Sequence, residues 1–185
     1  GPSVQDELVV IEGRSGTILA RTQLPPTAPD LTMWDLSPTS AALSSNDATD
    51  IILREWRADF ENGGIDLWAY DRDLNLLWEC SQDGSGAHLG HTYAIAFHDI
   101  DGDSRDEMLA GGVMYDSDGT VLWTHDRMEE MLHIYGAKHY DAVVLGDIAG
   151  SSEEDPTALL IAGSAGVFVV DAFTGETRAV HRIGH

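Results

Sequence analysis

The sequence predicts an all-β chain, a β-propeller of four-stranded antiparallel blades with about three and a half blades present. Two repeats carry that reading. A strand ending in an acid, a tight turn and a second strand recur four times, and a further pair of apolar strands precedes three of those hairpins. At 185 residues, with 43% hydrophobic side chains, the chain is long enough to bury roughly 70% of its unfolded surface.

The hairpins are Val9–Leu19, Trp68–Trp78, Val113–Trp123 and Phe168–Thr177. Asp, Ser and Gly at their centres supply left-handed or side-chain-bonded turn conformations, and the flanking Val, Tyr, Trp and Leu suit a pleated surface. Upstream lie strands that end in Asp: Leu31–Asp35, Ala94–Asp99 and Val143–Asp147. Each is followed by a loop and another apolar strand: Ile51–Leu53, Met108–Ala110 and Leu159–Ala162. Units of about 45 to 60 residues that repeat four short strands are propeller blades. The expected boundaries are a terminus at 1–4, a half blade at 5–24, blades at 25–80, 88–125 and 137–180, and the start of another at 181–185. Gly1-Pro2 looks like a scar left by tag removal. Between Asp50 and Phe60 the helical spacing of Ile52, Trp56 and Phe60 competes with a strand, which we keep for the first half. Asp126–Tyr135 is read as a short helical excursion. Half blades leave open sheet edges, which are templates for association. Either two copies close a ring of about seven blades, or the remainder of a longer propeller is missing.

Composition narrows the partners. Thirty-two acids against ten bases give a net charge of -22, and Lys138 is the only lysine. Phosphate binding needs clustered Lys and Arg, so nucleic acid is excluded. No apolar run approaches the roughly 18 residues of a membrane helix, so no membrane partner is expected. Such acidity fits a solvated surface or bound cations. The single cysteine, Cys80, forbids an internal disulfide and reads as a small buried apolar group.

The motif with most chemistry is Asp99-Ile100-Asp101-Gly102-Asp103-Ser104-Arg105-Asp106-Glu107. Acids at positions 1, 3, 5 and 9 of a tight loop can surround a hard cation, with the Arg105 carbonyl at position 7 adding an oxygen. The expected metal ligands are Asp99, Asp101, Asp103, Arg105 and Glu107, and the expected ion is Ca²⁺. The alternative is an acidic turn without an ion. The sister loops after Asp35 and Asp147 keep only the first acid, although Asp47 and Asp50 could return towards the former and Glu153–Asp155 lie near the latter.

This loop, the Tyr-Asp-x-Asp-x-x-x-Leu-Trp hairpins at Tyr70 and Tyr115, and the Gly-His pairs at Gly90-His91 and Gly184-His185 resemble the calcium-loop propellers of rhamnogalacturonan lyases. They are similar, less closely, to FG-GAP propellers. The resemblance covers most of residues 5–185 but about half of a catalytic propeller of that family. It implies a secreted or extracellular protein that cleaves an acidic, uronate-containing polysaccharide by β-elimination. The other reading is a noncatalytic calcium-stabilised propeller that binds carbohydrate or protein.

His91 lies eight residues before Asp99, and His139 eight before Asp147. Both therefore fall where the first, innermost strand of a blade begins, with His185 opening a third such position. Histidines gathered there could bind metal or serve as general base near neutral pH. They could equally be hydrogen-bonded structural residues. Tyr93 and Asp141, each two residues after one of these histidines, point the same way on a strand, and His91, His139 and Tyr93 are the catalytic candidates. His98, His125 and His181 fall outside this register and read as structural.

Overall fold

The computed structural model describes residues 7–24, 36–45, 49–56, 65–82, 95–125, 140, 142–146, 157–162 and 166–182. Strands β1 (Glu7–Ile11) and β2 (Ile18–Gln23) form a two-stranded first sheet. The second sheet is β3 (Leu36–Ala41), β4 (Asp50–Trp56), β5 (Ile65–Tyr70) and β6 (Leu76–Gln82). The third is β7 (Ile95–His98), β8 (Glu107–Ala110), β9 (Val113–Tyr115) and β10 (Val121–Thr124). The fourth is β11 (Ala142–Gly146), β12 (Thr157–Ala162), β13 (Gly166–Asp171) and β14 (Thr177–His181). Each four-stranded sheet is an antiparallel meander in chain order.

All four hairpins are built alike. The backbone N–H groups of Glu12, Asp71, Asp116 and Asp171 donate to the carbonyls of Thr17, Asn75, Thr120 and Glu176. The carbonyls of the same four acids accept from Gly16, Leu74, Gly119 and Gly175. Those four acceptor-facing residues all lie at positive φ, 74°, 65°, 85° and 73° in turn. Glycine occupies that conformation without steric cost, so Leu74 is the exception. The acids also work through their side chains. Asp71 accepts from the N–H groups of Asp73 and Asn75 and from Asn75 Nδ2, at 2.8–2.9 Å. These bonds, those from Asn75 foremost, hold its carboxyl below the usual carboxylate range.

The sheets stack face to face in chain order, because alternate strand residues are apolar on both faces. Leu53, Trp68, Tyr70 and Leu74 pack on Leu8, Val10 and Ala20 of the first sheet. Ile52, Leu67 and Ala69 meet Met108, Ala110, Val113 and Tyr115 between the second and third. Leu109, Met114 and Trp123 meet Tyr140, Phe168 and Val170 between the third and fourth. Strand β11 lies against β7 and β8, so the opening strands of neighbouring sheets adjoin, as propeller blades require.

Two expectations change. The opening strand of the second sheet is Leu36–Ala41 rather than Leu31–Asp35, whose residues lie outside the described ones. Residues 36–38, read as a loop after Asp35, are strand, paired from Leu36 with Glu55 to Ala41 with Asp50. Pro38 and the serines hide this strand from a reading based on β-propensity. An edge strand tolerates proline, since one of its sides needs no ladder N–H. Strand β14 also continues through His181, one residue past the expected boundary. The strand reading at Ile51–Leu53 holds within β4, while the proposed excursion at 126–135 lies outside the described residues.

Candidate metal centre

The loop from Asp99 to Asp106 links β7 to β8, and its backbone turns back on its own acids. Gly102 and Ser104 N–H groups donate to the two oxygens of Asp99 at 2.7 and 2.9 Å. Asp103 N–H donates to Asp101 (3.0 Å), and Arg105 N–H to Asp103 (2.8 Å). Gly102 and Ser104 sit at φ of 79° and 76°, which curls the chain tightly enough to make these bonds. Serine is an uncommon residue in that conformation, so the turn is held against a steric cost.

Carboxylate oxygens of Asp99, Asp101 and Glu107 lie within 4.8 Å of one another. Asp103 belongs to the same loop but is not one of these three converging groups. Glu107, the first residue of β8, is 2% exposed and accepts the Ile100 N–H at 2.7 Å. Burial pushes its carboxyl up to about 7. The Ile100 bond opposes that shift, while the nearby Asp101, Asp116 and Asp103 add to it. The charged groups acting on this buried acid are thus themselves acids, a setting that favours a cation. An all-oxygen donor set on a short loop fits a hard divalent ion.

The second sheet has an equivalent loop, described at its two ends. Asp50 follows Ala42 by eight residues, as Glu107 follows Asp99, and each begins the second strand of its sheet. Asp50 is 1% exposed and accepts from Ser44 N–H (2.7 Å) and Ser44 Oγ (3.2 Å). Ala42 stands where the third sheet has Asp99, so this loop has no leading acid. Asp106, which sequence reasoning left without a role, joins the two loops. Its carboxylate accepts the Ala42 N–H at 2.8 Å and its own N–H donates to the Ala42 carbonyl at 2.8 Å. The eight-residue offset would have revealed this correspondence had β3 been placed correctly.

The catalytic candidates His91, His139 and Tyr93 lie outside the described residues, as do Asp141, His185 and the loop at 147–156. Among the other histidines, His98 and His181 are exposed. His125 is buried, bonded through Nδ1 to Tyr140 Oη and through Nε2 to Thr177 Oγ1 at 2.9 Å, and packed edge-on against Phe168. It ties the third sheet to the fourth, which is a structural role.

No protein-family model matches the chain. Rhamnogalacturonan exolyase YesX of Bacillus subtilis (strain 168) is 30% identical over 128 residues, covering 64% of this chain and 17% of that protein. Among solved structures, the rhamnogalacturonan lyase PL11 of Bacillus licheniformis superposes with a TM-score of 0.71 at 20% identity, covering 97% of this chain and 31% of that one. The exotype rhamnogalacturonan lyase YesX superposes with a TM-score of 0.71 at 23% identity, over 97% and 30%. The chain therefore has the fold of a part of these lyases and spans less than a third of their length.

Proposed function

We propose that this chain is part of a rhamnogalacturonan-lyase-like propeller that engages acidic, uronate-containing polysaccharide outside the cell. The observation that carries this is the 30% identity with a rhamnogalacturonan exolyase over 128 residues. In this reading Asp99, Asp101, Asp103 and Glu107, with the Arg105 carbonyl, hold Ca²⁺. When bound, the ion supplies positive charge that offsets the acids of the loop. His91 or His139 removes the proton beside the uronate carboxylate, and Tyr93 protonates the departing glycosidic oxygen.

A second reading, a noncatalytic calcium-stabilised binding module, is favoured by the net charge of -22, which repels a polyanion. One experiment separates them. With calcium present, the chain is incubated with rhamnogalacturonan while ultraviolet absorbance follows the unsaturated uronate that every elimination forms, and binding is measured by affinity electrophoresis. Absorbance that grows in the wild type and not in His91→Ala or His139→Ala supports catalysis. Retardation without absorbance selects the binding module, and neither signal removes the polysaccharide from both readings.

A further inference from the structure

The three seams between stacked sheets follow one size rule at one pair of positions. The first position is the residue of each sheet's last strand that faces the next sheet: Ala20, Trp78, Trp123 and Ala179. All four share the same place after the hairpin's register shift, opposite Val10, Ala69, Met114 and Val169. The second position is the positive-φ turn residue of the following sheet. Trp78 lies over Gly119, where an added Cβ would meet its indole at 2.8 Å, and donates Nε1–H to the Ser117 carbonyl at 2.9 Å. Trp123 lies over Gly175 in the same way, at 2.7 Å, and donates to the Ala172 carbonyl at 2.8 Å. Where the first position shrinks to Ala20, the turn carries Leu74, buried in that seam despite its φ of 65°. A large residue on one side thus meets a small one on the other at every internal seam.

The two outer faces of the stack do not match each other under this rule. The first sheet presents Gly16, with nothing within 4 Å of where a Cβ would stand, and Ile11, 55% exposed in the register of the buried Tyr70, Tyr115 and Val170. The fourth sheet presents Ala179 on its last strand and, three strands away in the same cross-strand row, Val144, which is 44% exposed. A second copy docked head to tail would set Ala179 against Gly16, small on small. The space that an indole or a leucine fills in every internal seam would be left empty.

We propose that the outer faces of this stack are keyed to β-sheets of other sequence rather than to a second copy. A sheet whose last strand bears tryptophan covers Gly16, and a sheet whose turn bears a branched aliphatic residue in the left-handed conformation covers Ala179. Continuity with the three internal seams argues for such an occupant. So does the length of the lyases this chain superposes on, which carry more than twice as much chain again.

Sedimentation velocity of the calcium-loaded chain over a hundredfold concentration range tests this. The wild type is expected to stay at its 20.0 kDa mass. Ala179→Trp recreates the Trp-on-Gly seam between copies, and Gly16→Leu recreates the Ala-on-Leu seam. Each alone should give concentration-dependent species of about twice that mass or more. The double variant, large on large, should return to the monomer, and Val144→Asp should abolish association of Ala179→Trp. A wild-type dimer would make the second copy the occupant and overturn the proposal. So would single variants that both remain monomeric, a double variant that associates as strongly as either single, or association indifferent to Val144→Asp.

Discussion

Leu74 holds a backbone conformation that costs a non-glycine residue about 1–2 kcal/mol, and it does so because its side chain fills the seam left open by Ala20. Leu74→Gly removes the strain and about 2–5 kcal/mol of buried contact. The variant is expected to lose about 1–3 kcal/mol in urea unfolding, the reverse of what strain alone predicts. Glu107 sets the opposite balance, a buried acid surrounded by acids. Glu107→Gln keeps an acceptor for the Ile100 N–H while deleting the charge, so the calcium-free variant is expected to melt no lower than the wild type. The calcium-dependent increment, about 2.7 kcal/mol for the wild type at a hundredfold excess over Kd, should vanish. A thermal melt with and without chelator reads both effects. The acids of this loop were legible because oxygen spacing is local. The roles of Leu74 and Asp106 were not, because each answers to a residue more than fifty positions away in the chain.

The hairpin is the element that the sequence states most plainly, since its turn acids bond to their own backbone and the strands that enter the turns are short unbroken apolar runs. Strand β3 was missed because its Ser-Pro-Thr-Ser stretch carries no apolar pattern, and pairing with β4 alone makes it a strand. Apolar Leu31–Trp34 drew the assignment away by composition. The seam tryptophans act at this scale, joining one sheet's last strand to the next sheet's turn. Trp123→Phe preserves most of the ring contact but leaves the buried Ala172 carbonyl without its donor, a loss of about 1–3 kcal/mol. Trp78→Phe, at a half-buried position, should cost less in the same denaturant series. Equal losses would place the energy in ring contact rather than in the hydrogen bond.

At the scale of the whole molecule, the packed clusters among the described residues join sheets that are neighbours in sequence, so stability is close to a sum of sheets and seams, as in other repeat arrays. Composition acts on that sum from outside. With a net charge of -22, the folded chain is compact at the expense of self-repulsion, which salt screens over about 8–10 Å at physiological ionic strength. The melting temperature of the calcium-free protein is therefore expected to rise with sodium chloride up to a few hundred millimolar, and a fall would mean that attractive surface pairs outweigh the repulsion. The repeat and the sheet order were legible at this scale. The catalytic candidates His91, His139 and Tyr93 came from the repeat register alone and lie outside the described residues.

The tie from Asp106 to Ala42 decides which residues position 42 can carry. Both of its bonds end on main-chain atoms of residue 42, so they ask nothing of that residue's side chain. Alanine therefore serves at this position without loss of the loop's path, with Asp50 holding the far side through Ser44. A loop anchored by its neighbour's side chain needs no acid at its first position to hold its ends together. The one substitution the tie cannot absorb is the residue without an N–H. Ala42→Pro should therefore loosen the junction of the second and third sheets, seen as faster amide exchange at Asp106, where Ala42→Ser leaves it unchanged.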